Sequence, residues 1–146
     1  MDKLYLEDFS VGRRFTSAAR SLDADQIKAF ARQYDPQPFH LDEEAAKDSF
    51  FQGLAASGWH TASITMSLLV ESMPIAGGLI GAGGELAWPR PTRPGDTLTV
   101  ESEILAVTPS RSKPERGMLT VRSITRNQHG EAVQDMTTKM LVWKRA

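Results

Sequence analysis

An aspartate and a histidine lie close together in a segment that contains two prolines. Asp35 and His40 are five positions apart, in the run Tyr-Asp-Pro-Gln-Pro-Phe-His that ends at His40. Each proline fixes its own φ angle, so the segment has few conformations and can aim a carboxylate and an imidazole at one point. A pair held in this way can transfer protons as general base and general acid. The spacing also fits a capping aspartate and a histidine packed where a loop meets a helix, so both interpretations stay open.

Gly58 lies 18 residues after His40, where a long apolar helix is predicted to begin. The first amide groups of a helix have no partner within it and lie at the positive end of its dipole, so they can stabilise an oxyanion. A glycine there would let a ligand approach the backbone closely, although a glycine in a turn fits the same position. Gly58 therefore joins Asp35 and His40 as a candidate for chemistry.

The elements that must position these residues are helices in the first half of the chain. A helix is predicted up to Tyr34, with Ser21 or Asp23 as its N-cap, because apolar residues recur at helical spacing between them. The two prolines end this helix, and a short acidic helix is predicted over about Asp42–Ser49. The longest helix is predicted over about Gly58–Ser72, and its apolar residues lie nearly all round it, which is typical of a helix buried on most sides.

The second half of the chain has the character of strands and turns. After a glycine-rich segment over residues 77–84, predicted to be a flexible connection, alternating apolar residues and turn motifs predict strands. Together with an opening strand over Arg13–Ser21, these are Glu85–Trp88, Thr97–Thr108, Met118–Gln128 and Ala132–Lys144. A buried helix followed by a long antiparallel sheet indicates an α+β fold in which the sheet wraps around the helix. The length of 146 residues predicts a single domain over residues 1–146.

The composition excludes several other classes of function. The 17 Lys and Arg residues nearly balance the 18 Asp and Glu residues, so no overall basic field favours nucleic acid or a membrane as a partner. The lack of cysteine excludes a disulfide scaffold and a thiol nucleophile, and no His or carboxylate cluster has the spacing of a zinc site. Residues 1–9 do not resemble a signal peptide, and the apolar stretch 59–86 is interrupted by Glu71, Pro74 and glycines. We therefore expect a cytoplasmic protein without a bound metal.

Short motifs spread over nearly the whole chain are shared with one protein family. They are Leu6–Gly12, Asp35–Asp42, Ala45–Ala46 with Phe50, Ser57–Trp59, Trp88–Pro91, Arg93–Leu98, Ser110–Pro114 and Asn127–Glu131. Through these motifs the sequence resembles the MaoC-like dehydratases, which have the hot-dog fold and include the (R)-specific enoyl-CoA hydratases. The spacing from Asp35 to His40 and on to Gly58 is the most specific part of the resemblance. The resemblance implies a hot-dog domain, with a long antiparallel sheet around a central helix.

The resemblance also implies a role for each of the three candidate residues. Asp35 and His40 would hold one water molecule and transfer its protons, and the Gly58 N–H would donate to the thioester oxygen as that oxygen gains enolate charge. The reaction would be the reversible syn addition of water to a trans-2-enoyl thioester, giving an (R)-3-hydroxyacyl thioester. Water is a poor nucleophile and the α-proton of a saturated thioester is weakly acidic, so this reaction needs both a base and an oxyanion donor. The resemblance implies no cofactor beyond the coenzyme A that is part of the substrate.

Further residues are expected to contact the substrate. Those next to the three candidates in the shared motifs are Gln37, Phe39, Ser57 and Trp59. Arg111 and Lys113 form, with Arg116, a local basic cluster that could bind the phosphates of coenzyme A, although a solvated loop fits it as well. The sequence departs from the family at Gln37, where well-characterised hydratases have asparagine, and at Met66, where many have serine. These departures bear on acyl specificity more than on the chemistry.

Two other functions stay open at this point. A hot-dog thioesterase would use a carboxylate to activate water against the thioester carbonyl. A non-catalytic subunit would bind acyl thioesters without converting them. Release of a free thiol would distinguish the first alternative, and ligand binding that survives loss of the Asp35 carboxylate would distinguish the second.

The expected partners are an acyl thioester and a second copy of the chain. The carrier of the acyl group could be coenzyme A or an acyl carrier protein. An open sheet edge invites pairing, and the acyl pocket of the family lies at a dimer interface, so we expect a homodimer or a dimer of dimers. His60 is expected to be a structural histidine, and Trp88 is expected to pack at a strand end or a subunit interface.

Overall fold

The structure, a computed structural model that describes residues 2–146, combines four helices with six strands. The helices are α1 over Ala24–Tyr34, α2 over Pro38–Leu41, α3 over Glu43–Lys47 and α4 over Gly58–Ser72. The strands are β1 over Arg14–Thr16, β2 over Arg20–Ser21, β3 over Ile80–Ala87, β4 over Thr97–Pro109, β5 over Arg116–Arg126 and β6 over Ala132–Trp143. A 3-10 turn over Leu6–Asp8 precedes β1.

The strands form one antiparallel sheet in the order β1-β4-β5-β6-β3, and β2 also pairs with β4. Buried residues alternate with more exposed ones along β5, so one face of the sheet is covered and the other faces outward. The covered face packs against α4, whose Leu68 and Leu69 are almost fully buried. The predicted α+β hot-dog arrangement, a long sheet around a central helix, is confirmed.

Helix α4 lies between two apolar clusters. Its C-terminal half places Leu69 and Met73 among side chains of the sheet such as Leu119. Ile64 and Leu68, on another side of the helix, lie against residues of β4, β6 and α1. These two clusters fix the position of α4, and therefore also that of its N-terminus, where Gly58 lies.

The side of α4 that faces away from the sheet is exposed. Trp59, Met66 and Val70 on this side are 58%, 39% and 48% exposed. Arg20 of β2 reaches across to this side and donates to Glu71 at 3.0 Å. No helix in residues 2–146 combines the length and hydrophobicity that crossing a membrane requires.

The opening strand predicted over residues 13–21 is divided into two short strands, β1 and β2. After Thr16 the pairing with β4 becomes irregular. The Ser17 N–H still donates to the Val100 carbonyl at 2.9 Å, but the Val100 N–H donates to Ser17 Oγ at 2.8 Å instead of to a main-chain carbonyl.

The glycine-rich segment predicted as a flexible connection is largely part of β3. This strand begins at Ile80 instead of residue 85, and it shifts register between Gly81 and Gly83. Gly83 and Gly84 have φ angles of +138° and +159°, and a side chain at Gly84 would collide with the Thr137 carbonyl oxygen of β6. The glycines are therefore required by a bulged strand that runs close to its neighbour.

Candidate active site

Asp35 and His40 lie on two short elements that fold back on each other. Asp35 is the C-cap of α1, and its N–H donates to the Ala31 carbonyl at 2.9 Å. Gln37 is extended, and the following proline occupies the first position of α2, where its missing N–H costs nothing. This one-turn helix, not the predicted loop, carries His40. It brings His40 Nε2 to 3.3 Å from Asp35 Oδ2.

The orientation of the His40 ring is fixed by the main chain. The ring is 4% exposed, and its Nδ1 lies 2.6 Å from the Ala55 carbonyl oxygen. A carbonyl oxygen can only accept, so Nδ1 carries a proton and donates it there. Nε2 is therefore the nitrogen that faces Asp35, and it can exchange a proton with a bound molecule.

The Asp35 carboxylate accepts hydrogen bonds on both of its oxygens. Gln37 Nε2 donates to Oδ1, and the Ser57 hydroxyl donates to Oδ2 at 2.7 Å. Burial alone would raise the pKa of Asp35, but the bonds from Gln37 and Ser57 and the nearby charge of His40 outweigh it. The pKa of Asp35 is thus below its ordinary value, and the group is a carboxylate at neutral pH.

The N-terminus of α4 offers a free donor beside this pair. The Ser57 oxygen accepts the Trp59 N–H at 3.2 Å, and the Ser57 carbonyl accepts the N–H groups of His60 and Thr61. Among the hydrogen bonds of residues 2–146, the Gly58 N–H donates to no protein acceptor. It lies at the positive end of a 15-residue helix and at the wall of a cleft, so it can stabilise a developing oxyanion.

Trp88 explains why residue 58 is glycine. A Cβ atom at Gly58 would lie 2.5–2.7 Å from three atoms of the Trp88 indole, and no positive φ angle requires glycine there. The indole N–H donates to Oε1 of the buried Gln134 at 2.9 Å, and the ring packs edge-on against Trp59. Trp88 directly follows β3, so it lies at a strand end, as predicted. Sequence reasoning did not predict that it lies against the oxyanion donor.

His40, Gly58 and Trp88 line a cleft of about 500 Å³, and Asp35 is not among the lining residues. Its polar side holds His40 and Gly58, and most of its remaining wall is formed by Phe39, Phe50, Phe51, Trp88 and residues 89–92. An apolar cleft with a few convergent polar groups suits a ligand that has a fatty part and one reactive polar centre. No group of three His, Asp or Glu side chains suited to a metal ion occurs within the described part of the chain.

Residues 8–127 match the family model described as "MaoC like domain", which is most of the chain. The chain belongs to the MaoC-like dehydratase family. The resemblance inferred from the sequence motifs is therefore confirmed.

Solved structures of MaoC-like proteins have the same fold. The MaoC-like dehydratase from Rhodospirillum rubrum matches with a TM-score of 0.96 and 61% identity, over 98% of this chain and 99% of that chain. The R-hydratase PhaJ1 from Pseudomonas aeruginosa matches with a TM-score of 0.78 and 25% identity, over 98% and 88% of the two chains.

Two relatives are also similar in sequence. The (R)-specific enoyl-CoA hydratase from Rhodospirillum rubrum is 29% identical over 120 residues, which is 82% of this chain and 78% of the hydratase. The protein YdeM from Bacillus subtilis, described as uncharacterized, is 36% identical over 126 residues, which is 84% of this chain and 87% of YdeM.

The structure places the predicted substrate contacts of this MaoC-like chain in different positions relative to the cleft. Gln37 and Phe39 line the cleft. Ser57 is fully buried, and its hydroxyl donates a hydrogen bond to Asp35. Trp59 is 58% exposed and packs against Trp88 instead of lining the cleft. His60, which was predicted to be structural, stacks on Phe30 with ring centroids 4.6 Å apart, outside the cleft.

Arg111 and Lys113 lie in the hairpin between β4 and β5, beside a separate depression of about 470 Å³. The base of this hairpin packs on Leu6, which belongs to the cluster around the C-terminal half of α4. Gly58 is at the other end of that helix, which is about 22 Å long given the rise of an α-helix. The structure therefore does not bring this cationic hairpin to the Asp35–His40 pair within one chain.

Arg93 is a residue of the site region that the sequence motifs did not single out for a role. Its guanidinium contacts main-chain carbonyls of the loop that precedes α4. Contacts of this kind leave no signal in the sequence, because every residue of the loop has a carbonyl oxygen.

Proposed function

We propose that this protein is a hydratase that adds water reversibly across the trans-2 double bond of an enoyl thioester, giving an (R)-3-hydroxyacyl thioester. The observation that carries the proposal is the Asp35–His40 pair, with 3.3 Å between carboxylate and imidazole, beside a free helix N–H in an apolar cleft. Two MaoC-like relatives, an (R)-specific enoyl-CoA hydratase and an R-hydratase, support the same class of reaction.

The pair moves the protons of a single water molecule. The water oxygen forms a bond to C3 of the substrate while one of its protons passes to the Asp35–His40 pair. The C2–C3 π electrons move towards the thioester carbonyl, whose oxygen gains negative charge and accepts the Gly58 N–H. A proton from the pair then forms the C–H bond at C2, so the atoms of one water are added and the pair returns to its starting state.

The stereochemistry of addition follows from the use of one pair. The oxygen at C3 and the proton at C2 both come from groups on the same side of the substrate, so the addition is syn. The choice of the (R) product rests on the similarity to the (R)-specific enoyl-CoA hydratase of the same family. The proposed reaction uses no cofactor beyond the carrier of the acyl chain, which is either coenzyme A or an acyl carrier protein.

The experiment is hydration of a panel of trans-2-enoyl-CoA esters by the wild type, Asp35→Asn and a matched control, with the product's chirality determined. Asp25→Asn is the control, because Asp25 lies on the same helix and is exposed. We expect turnover to the (R)-alcohol by the wild type and the control, and its loss in Asp35→Asn. Release of free coenzyme A without hydration would favour a thioesterase. Tight binding without any turnover would favour a non-catalytic subunit.

A further inference from the structure

The loop between α3 and α4, residues 48–57, carries the groups that orient the proposed catalytic pair. Its Ala55 carbonyl oxygen lies 2.6 Å from His40 Nδ1, and its Ser57 hydroxyl donates to Asp35 at 2.7 Å. A displacement of this loop would therefore move both proton-transferring groups at once.

One guanidinium holds the middle of the loop. Arg93 Nη1 donates to the carbonyl oxygens of Gly53 at 3.0 Å and Leu54 at 3.2 Å, and its Nη2 donates to that of Phe51. Hydrogen bonds from a charged donor are stronger than neutral ones. A single side chain thus fixes three main-chain groups immediately before Ala55.

Arg93 is itself held in place. Its main-chain N–H donates to Asp96 Oδ2 at 2.8 Å, and Asp96 is buried. The carbonyl of the preceding residue, Thr92, accepts the Ala56 N–H at 2.9 Å. The segment 92–96 therefore forms a rigid base for the loop.

The loop needs this support because its backbone is strained. Gln52 has a φ angle of +54°, in the left-handed region that a non-glycine residue rarely adopts, and Gly53 has a φ of +153°. This turn directs the carbonyls of residues 51, 53 and 54 towards one point. A planar guanidinium can meet them together, whereas a lysine ammonium presents a single compact charge.

We propose that Arg93 is a positioning residue, which sets the geometry of Asp35 and His40 through the loop of residues 51–57. It does not line the cleft that holds His40 and Gly58, so it acts without touching the substrate. The expected effect of Arg93 on kcat rests on the proposed function. Its expected effect on the orientation of the His40 ring does not depend on any activity.

The experiment compares Arg93→Ala and Arg93→Lys with the wild type and with Arg122→Ala. Arg122 is the matched control, because it pairs with Asp135 and lies on the exposed face of β5. On an enoyl-CoA substrate, both Arg93 variants are expected to lower kcat about 10- to 100-fold with little change in KM. Millimolar guanidinium chloride should restore part of the kcat of Arg93→Ala and leave that of Arg122→Ala unchanged.

The second readout is the NMR signal of the His40 Nδ1 proton, which the bond to Ala55 and the burial of the ring protect from exchange. We expect this signal in the wild type and in Arg122→Ala, and its loss in Arg93→Ala. If Arg93→Ala does not fold, Arg93→Lys carries both measurements. If the wild type hydrates no enoyl thioester, the proposed function fails while this signal still tests the role of Arg93.

An Arg93→Ala protein that keeps both the His40 signal and the wild-type kcat would overturn the inference. So would a lower melting temperature with an unchanged kcat at temperatures where the variant is folded, because Arg93 would then only stabilise the fold.

Discussion

His40 meets the cleft with one ring nitrogen because the other is bonded to the protein backbone. The Ala55 carbonyl accepts a hydrogen bond from the protonated Nδ1, so Nε2 is the nitrogen that can accept a proton from a bound molecule and return it. Asp35 is held as a carboxylate opposite this nitrogen by Gln37 and Ser57. Each member of the pair is therefore oriented by hydrogen bonds to other protein groups, and of the two His40 lines the cleft.

If the two groups handle the same water, their removal should not be additive. We expect Asp35→Asn and His40→Ala each to lower kcat by about 10² to 10⁴. The double variant should be little slower than the slower single one, since either change alone disables the shared proton path. Steady-state kinetics of the four proteins checks this, with melting temperatures to confirm folding. Losses that multiply would show that the residues act separately.

The hydroxyl of Ser57 predicts a shift in the pH dependence. Its bond to Asp35 favours the charged form and lowers the pKa of Asp35, so Ser57→Ala should raise that pKa towards its ordinary value. Since Asp35 is needed as a carboxylate, the acidic limb of the profile of log kcat/KM against pH should move to higher pH.

Ser63→Ala is the control for that profile. Ser63 lies on the same helix, and its hydroxyl donates only to the Trp59 carbonyl, one turn before it. The acidic limb of the Ser63→Ala profile should coincide with that of the wild type. If the acidic limb of Ser57→Ala stayed in place or moved to lower pH, the hydrogen bond from Ser57 would not be what lowers the pKa of Asp35.

The residues with reactive side chains could be found from the sequence, while those that orient them could not. Asp35 and His40 have an unusual spacing between prolines, and Gly58 marks a helix start. Ala55 acts through its carbonyl oxygen, and Arg93 through the carbonyls that it binds. A main-chain oxygen belongs to every residue, so only the folded chain shows which one is used.

At the scale of elements, the end of β3 packs on the start of α4. Trp88 follows the last residue of β3, and its indole fills the space where a side chain of residue 58 would lie. Its bond to Gln134 of β6 fixes the ring from the other side. The Trp88 ring thereby covers Gly58 at the start of the helix, where the residue lines the cleft.

This contact predicts a suppressor. Gly58→Ala should destabilise the protein and lower kcat, because the new methyl group must displace Trp88, which supplies the three nearest atoms. In a Trp88→Ala background, Gly58→Ala should have little effect on stability or kcat, since the obstructing ring is absent. Urea unfolding and kcat of the single and double variants measure this coupling.

Gly81→Ala is the control for the suppressor cycle. A side chain at Gly81 meets no atom within 4 Å and needs no positive φ angle, so its effect should be the same with or without Trp88. Equal costs of Gly58→Ala in both backgrounds would contradict the proposed packing.

Long capped or alternating elements were predictable, and short or bulged ones were not. The end of α1 at Tyr34 and the start of α4 at Gly58 were predicted, because prolines and a serine cap mark them. The single turn of α2 is too short to show a helical period. The glycines of β3 resemble a linker, since a register shift and a close approach to β6 are tertiary features.

At the scale of the whole molecule, β3 is the last strand of the sheet and nearly all of its residues are exposed. An exposed strand of this length is a ready site for pairing with another strand. We therefore expect a homodimer or a dimer of dimers, and light scattering at micromolar concentration should give two or four times the mass of the chain. A monomer mass would contradict this.

A dimer would also offer a way for Arg111 and Lys113 to reach a bound thioester, which they do not do within one chain. If the hairpin of one copy serves the cleft of the other, a mixed dimer of Asp35→Asn with the double variant Arg111→Gln, Lys113→Gln contains one intact site. Refolded mixtures should then be more active than either parent. Activity equal to the mean of the parents would assign the hairpin a role outside the site.

Because Arg93 binds carbonyl oxygens, its contacts with the loop do not depend on which side chains the loop carries. Phe51 offers its carbonyl to Arg93 while its ring, like that of Phe50, lines the cleft. The contact with Arg93 survives any side chain at position 51, because the carbonyl remains. A substitution at position 51 would therefore change the cleft wall and the packing against Phe39 and His40, while the carbonyl contact that holds the loop remains.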